Sequence, residues 1–532
     1  VSFDEVRREP VSTTTLAPPD ALQEIGEDHV SNSSGHPNVL VVGGGSAGAV
    51  LAARLSEDAR RTVVLLEAGP AYSLDAIPRG VLDAGTVADA QHNWGYTSRG
   101  SHAQQEVFAP RGKVLGGSSA VNAAVAIRPR PSDLAKWASH GVDGWSYEEV
   151  LPVFRRLENT PTGDDRYHGR SGPFPIRQRS LEELTPGLRG YIEAAIEAGF
   201  NPNDDFNGAE QEGAGGSPVN VVDEVRQSTA MAYLTDEVRA RPNLTIKGGV
   251  NIDRVLLDGS TATGVLADDG TTYSADEVIL CGGTYGSPAI LMRSGIGPSA
   301  ELERLDIEVI ADLPVGERLQ DQVLIPNGYA LALEYLQMVP VVGAVVWTKS
   351  SAAVEGELDI NLTATHLLPG SASPTGGAIA LGVALTLPES SGTLKLASRD
   401  PKAAPLIDSN YLGTGRDTRR LLEAFKMMRH IARQPALARV TAGELIPGDS
   451  VSDDDLPQYV FHGLAPYGHP TSTVPMGSDV MPWAVVDSVG AVNGIERLRV
   501  VDASIIPEVP STVTNLTVIM IAEHIFDRVY RQ

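Results

Sequence analysis

The chain has 532 residues, 42% hydrophobic and 20% charged, an ordinary globular composition with ample length to bury a core. A single cysteine, Cys281, excludes an intramolecular disulfide framework and a cysteine-built zinc site. The formal charge of −25 disfavours nucleic acid and anionic membranes as partners. No apolar run approaches the roughly 18 residues of a membrane span, and the first residues carry charges where a signal peptide needs an apolar stretch. A cytoplasmic protein is the expectation.

Residues 1–37 are polar and read as an N-terminal arm, with one short helix over Leu22–Val30. At Val39 the pattern changes abruptly. VLVV is a β-branched run suited to a strand buried on both faces, GGGSAG follows, AVLAARLSED has helical spacing, and RTVVLLEAG is a second buried strand ending at Glu67. This is one βαβ unit. Residues 70–145 are rich in Gly, Ser, Ala and Pro and read as extended loops shaped around something. Residues 146–160 read as a helix despite Pro152. A second helix is predicted from Pro186 to Ala198, stopped by Gly199. Residues 244–280 break into short alternating strands at Asp-Gly turns. More strands are predicted over 325–400, a helix over 416–436, a strand at LRVVDASI, and a last helix from about Asn515 to Tyr530.

Gly43, Gly45 and Gly48 spell G-x-G-x-x-G directly after a buried strand and at the start of a helix. The first glycine permits the tight turn, the second a close approach of backbone to a pyrophosphate, and the third close helix–strand packing. Glu67 lies 19 residues after Gly48, where a carboxylate suits a ribose diol. These residues imply a bound dinucleotide, NAD or FAD, without choosing between them.

Three longer segments narrow the choice: PRGKVLGGSSAVNAAVAIRPRPSDLAKWA from Pro110, GGTYGSPAILMRSGIGP from Gly282, and the pair GHPTSTVPMG from Gly468 with VVDASIIPEVPSTVTNLTVIMIAEH ending at His524. Together with NWGY, STAMAYL and PVGERLQDQ, they resemble the glucose–methanol–choline (GMC) family of FAD-dependent alcohol oxidoreductases, over about Val39–Tyr530. The resemblance implies an α/β fold: a discontinuous Rossmann-like FAD-binding domain (38–155, 215–322 and 463–532) and an α+β substrate-binding domain on an antiparallel sheet (156–214 and 323–462). It implies cofactor contacts from Gly43, Gly45, Ser46, Ala47 and Gly48, and from Glu67, Ala68 and Trp94. Further contacts are implied for the loop carrying Arg111, Gly112, Val114, Gly116, Gly117, Ser118 and Asn122, for the Val250 backbone, and for Pro470, Asp502, Ala503 and Thr517. Some members bind FAD covalently through a histidine near GGSS. Here SSAVN has none, and His102 lies outside the motif, so non-covalent FAD is expected.

Alcohol oxidation needs a proton acceptor beside the flavin, and a neutral imidazole suits that role. Among 11 histidines, His469 stands where the resemblance places the catalytic base, and Asn515 stands where the family carries a second histidine or asparagine. The implied roles are proton acceptance by His469 and an amide hydrogen bond from Asn515 to the developing alkoxide. The sequence departs from the family in Thr471–Pro475 and in Gln322, which stands where relatives carry a histidine after L-Q-D.

His462 reads as either structural or substrate-facing, Cys281 as a core residue, and Asp453–Asp455 as a solvent-facing helix start with no metal site. Tyr335, Gln337, Trp347, Asn361, Thr363, Thr365 and His366 are candidate substrate contacts, with Tyr335 and Trp347 available to stack on a ring. They favour a sugar or glycoside hydroxyl (C2 or C3), as in bacterial pyranose and C-glycoside oxidases of this family, with O2 or another acceptor taking the electrons. Choline, aryl-alcohol and furfuryl-alcohol oxidation remain alternatives. So does a flavin-binding protein without enzymatic activity.

Overall fold

The computed structural model describes residues 38–99 and 106–531. The arm with its expected helix, and His102, lie outside the described residues.

The predicted βαβ unit forms. Val39–Val42 and Val63–Leu66 pair in parallel, and Gly48–Leu55 is the helix between them. Five strands make the parallel sheet, in the order Leu244–Lys247, Val63–Leu66, Val39–Val42, Glu277–Leu280 and Leu498–Val500. Val39–Val42 is buried throughout, as a central strand covered on both faces must be. The C-terminal helix, Thr514–Tyr530, packs on Gly48–Leu55. Arg54 clamps the two helices by a two-pronged ion pair to the fully buried Glu523, which also accepts the Tyr233 hydroxyl.

A seven-stranded antiparallel sheet lies later in the chain. Its path runs Thr441–Ile446, Val323–Leu331, Ala378–Leu385, Ile360–Thr365, Val342–Thr348 and Gly213–Gly216, with Ala465–Pro466 also paired to Val323–Leu331. Strand alternation divides its side chains. Ile325, Val383, Leu362 and Val346 point into a core shared with Pro186–Glu197 and Gly415–Ala432. The register places Pro326, Gly382 and Thr363 side by side in one row of the other face, and Ala380 beside Thr365 and Val342 in the next. Smaller sheets complete the fold, including one that joins Thr97–Arg99 and Glu106–Phe108 to Thr393–Lys395 and Leu406–Asp408.

The helix predicted over 146–160 spans Tyr147–Leu157 and keeps Pro152; Ser146 and Glu149 cap it reciprocally. Thr185 caps Pro186–Glu197, with proline in the first turn where its missing N–H costs nothing. The helix predicted over 416–436 ends at Ala432, and Pro435–Ala438 starts a separate turn. No helix among the described residues is long and apolar enough to cross a membrane.

Candidate active site

A cavity of about 540 Å³ opens at the carboxyl ends of the parallel strands, where α/β sheets bind ligands. It is lined by Gly43, Glu67, Val250, Cys281 and Asp502, each just beyond the end of a different strand. Two helices, Gly48–Leu55 and Thr514–Tyr530, start against it. Neither has a side-chain cap or an acidic first-turn residue, so their free N–H groups are left for a ligand.

Most of the expected cofactor residues line this cavity: Gly43, Gly45, Ser46, Ala47, Glu67, Ala68, Trp94, Arg111, Gly112, Gly117, Ser118, Asn122, Val250, Pro470, Asp502 and Ala503. Gly48, Val114, Gly116 and Thr517 do not line it. Gly48 acts by packing: a Cβ there would lie 1.8 Å from the Gly43 carbonyl oxygen. Val114 is buried in a small cluster with Val81 and Ala120. Gly116 takes φ +99° and donates its N–H to Gly44 O at 2.7 Å, tying the second glycine loop to the first. Thr517 is fully buried within the C-terminal helix.

His469 and Asn515 line the same cavity. The His469 N–H donates to Asp321 Oδ1 at 2.8 Å, and its Nδ1 sits 2.7 Å from Gln322 Oε1. Burial and the nearby Arg111 guanidinium push the imidazole down to about 3, so it is neutral at ordinary pH. Asn515 Oδ1 accepts the Ser46 hydroxyl at 2.7 Å, whereas its buried Nδ2 has no partner among the described residues. The cavity thus presents a neutral imidazole and an amide donor that has no partner among the described residues. A buried donor left unpaired is costly unless a ligand takes it.

Several candidates lie elsewhere. His366 is buried between the Thr185 hydroxyl and Ala378 O, 2.8 Å from each. Trp347 is 1% exposed and packed with Phe206, Leu358 and Val513. Asn361 Oδ1 accepts the Tyr467 hydroxyl at 2.7 Å. Tyr335 packs on the second core, and Gln337 folds back on Val339 O at the surface. Only Thr363 and Thr365 of that set line the cavity. His462 does not line it; its ring meets Phe461 edge-on. Cys281 is buried, as expected. Asp453–Asp455 lead into the helix Leu456–His462, with Asp455 at its N-cap and Asp454 and Asp455 exposed, as expected; Asp453, partly exposed, also pairs with Arg429, which holds Glu444. No cluster able to hold a metal ion occurs among the described residues. The sequence reading missed Tyr285 and Tyr467, which both line the cavity; they adjoin GGT and GHP, the signal that could have found them.

Models of the GMC oxidoreductase N- and C-terminal domains match residues 38–324 and 388–522. The chain belongs to the GMC oxidoreductase family. It is 37% identical over 532 residues to an oxygen-dependent choline dehydrogenase of Yersinia pseudotuberculosis serotype IB (strain PB1/+), covering 92% of this chain and 93% of the relative. The crystal structure of pyridoxine 4-oxidase from Mesorbium loti matches with TM-score 0.85 and 32% identity, covering 93% of this chain and 99% of that one. A fungal aryl-alcohol oxidase matches with TM-score 0.77 and 21% identity over 92% and 98%, a likeness of fold alone. This GMC protein is therefore an FAD-dependent oxidoreductase acting on alcohol CH–OH groups.

The residues present fit FAD. A Cβ on Gly45 would meet nothing nearer than Gly117 Cα at 3.8 Å, so the helix start is open toward the cavity. Glu67 is held by N–H groups of Gly44 and Gly69, both at 2.8 Å, and burial pushes it up to about 7; its remaining lone pairs suit ribose hydroxyls. Asp502 is braced by Gly283, Ser287 and Ser504, which fixes the turn that carries Ala503.

Proposed function

We propose that this chain oxidises a neutral, largely apolar alcohol to a carbonyl, with His469 as base and Asn515 as alkoxide donor. FAD when bound supplies a hydride acceptor. His469 Nε2 takes the hydroxyl proton, Asn515 Nδ2 donates to the same oxygen as its charge grows, and the first turn of Thr514–Tyr530 adds positive potential there. Because the neutral imidazole is surrounded by protein, the base is ready before substrate arrives.

The observation that carries the substrate class is the sheet face over the cavity. It contributes Leu324, Pro326, Val342, Ala380, Gly382 and two threonines, with no charge and no aromatic ring. This weakens the sugar reading, whose stacking residues Tyr335 and Trp347 are elsewhere. A quaternary ammonium is also poorly served. The two carboxylates on the cavity wall, Glu67 and Asp502, are committed to backbone N–H groups. Of the aromatic rings on the cavity wall, Trp94 already carries Lys113 at 4.5 Å from its centroid and Tyr285 carries Arg111 at 5.9 Å, while Tyr96 stacks on Trp94 and Tyr467 meets His469 edge-on.

We keep the division into an FAD-binding domain (38–155, 215–322, 463–532) and a substrate-binding domain (156–214, 323–462), and a non-covalent cofactor. The existence of two large separate cores supports the division, although Leu157, Phe174, Ile176, Leu394, Leu396 and Ile407 pack with the first core and Leu464 with the second. The test is anaerobic flavin bleaching with benzyl alcohol, 1-octanol, glucose, an aryl C-glycoside and choline. Faster bleaching by the apolar alcohols supports the reading, and fastest bleaching by choline or a sugar contradicts it. Readmitting air then shows whether O2 is the acceptor, by rapid return of the yellow colour.

A further inference from the structure

Gln322, which departs from the histidine that the family resemblance implies after L-Q-D, lies against the imidazole of His469. Its side chain is fully buried. Nε2 lies 2.7 Å from Pro510 O, 3.1 Å from Thr386 O and 3.3 Å from Thr512 O. An amide nitrogen has two hydrogens and no acceptor capacity, so three carbonyl oxygens on that side fix which way the amide points. Turned over, Oε1 would face three carbonyls with no hydrogen to share. Held this way, Oε1 faces His469 Nδ1 at 2.7 Å. An amide oxygen can only accept, so the hydrogen of the neutral imidazole must be on Nδ1, and Nε2 keeps the lone pair.

We propose that Gln322 is a positioning residue that selects the Nδ1–H tautomer of His469 and so assigns the base to Nε2. This rests on the reading of His469 as the proton acceptor. Once His469 has taken the alcohol proton at Nε2, Nδ1–H still donates to Gln322, and the amide has no lone pair basic enough to draw that proton away. The proton taken at Nε2 is therefore not passed on through Nδ1. A histidine at 322 could accept the same hydrogen bond only while neutral.

The titratable groups around this pair are few. Asp321 accepts the His469 backbone N–H and, on its other oxygen, the Tyr411 hydroxyl at 2.5 Å. Arg111 is anchored to Gly468 O at 2.7 Å, and the Tyr467 ring meets the imidazole edge-on at 4.6 Å between centroids.

The test compares anaerobic flavin reduction by a bleaching alcohol in the parent, Gln322→Met and Gln322→His holoenzymes across pH 6 to 8.5. Expected results are roughly a tenfold or greater loss of the reduction rate in Gln322→Met at every pH, with substrate affinity and FAD content little changed. Gln322→His should recover most of the rate at pH 8.5, and its ratio to the parent should fall as pH drops to 6. That ratio cancels ionisations shared by both proteins. A Gln322→Met rate within twofold of the parent overturns the proposal, as does a Gln322→His ratio that does not change with pH. If the parent reduces with alcohol and His469→Ala does not, the reading of the base stands whatever Gln322 does. A parent that no alcohol reduces would instead remove that reading.

Discussion

Ser46 donates its hydroxyl to Asn515 Oδ1 at 2.7 Å, joining the glycine turn to the first turn of the C-terminal helix across 469 residues of chain. The contact orients the Asn515 amide, because occupying Oδ1 fixes which way Nδ2 points, and Nδ2 has no partner among the described residues. Ser46→Ala should lower the flavin reduction rate about tenfold, the ~1.4 kcal/mol scale of one hydrogen bond, with FAD retained. Asn515→Ala should lose on the order of 100-fold or more, as for an oxyanion donor. Rapid-mixing absorbance at saturating alcohol measures both.

The imidazole of His469 is held near 3 by burial and by Arg111, so it does not titrate near 6.5 as a free histidine does. Asp321 is the nearer source of pH dependence: burial pushes it up to about 6 against its hydrogen bonds and the Arg111 charge. The reduction rate should be level from pH 8.5 to about 7 and fall as Asp321 takes a proton. Asp321→Asn keeps an oxygen for the His469 N–H and should flatten the profile down to about pH 5. A fall that persists unchanged in Asp321→Asn would assign the ionisation to His469.

Stability has a separate pH signature. His168 is buried between Glu158 Oε1 at 3.0 Å and Asp205 Oδ2 at 2.8 Å, and Glu158 also pairs with Arg128. Burial opposes the charged imidazole, but the hydrogen bonds from these carboxylates outweigh it and carry the group up to about 9. A raised pKa contributes stability that is full below about 6.5 and lost as pH rises through about 9. His168→Gln should lower Tm at pH 6, and by less at pH 9.5. An equal loss at both values would contradict the charged pairing.

Gly48→Ala places a methyl 1.8 Å from the Gly43 carbonyl oxygen, where only backbone movement relieves the contact. The strand and helix must separate, and the turn that faces the cofactor moves with them. The purified variant should be colourless or strongly depleted in FAD by its absorbance near 450 nm, whereas Gly259→Ala should stay yellow: Gly259 has positive φ, which Gly48 does not, but a Cβ there meets nothing within 4 Å.

The βαβ unit was legible because its signals are local: two buried apolar runs, three glycines at fixed spacing and Glu67 at the next strand end. His469 and Asn515 were legible through motif position. The substrate side was not, because its character depends on which rows of one sheet face lie over the cavity and on what neighbouring elements take. Thr363 and Thr365 reach the cavity, whereas Asn361 and Trp347, one row further along the same face, are taken by Tyr467 and by the Phe206 cluster. A register shift between Val342 and Ala344 further displaces simple alternation. Gln322 was visible only as a departure from the family's histidine; its meaning needed Pro510, Thr386 and Thr512, which lie far away in sequence and supply the carbonyls that orient it.

The most direct measurement of the central claim is the anaerobic flavin reduction rate of His469→Ala beside the parent, both loaded with FAD and mixed with an apolar alcohol that bleaches the parent. The account predicts full FAD binding and a rate lower by roughly two or more orders of magnitude, the usual worth of a general base. An unchanged rate in a fully loaded variant would mean that His469 does not take the proton, and would contradict the account.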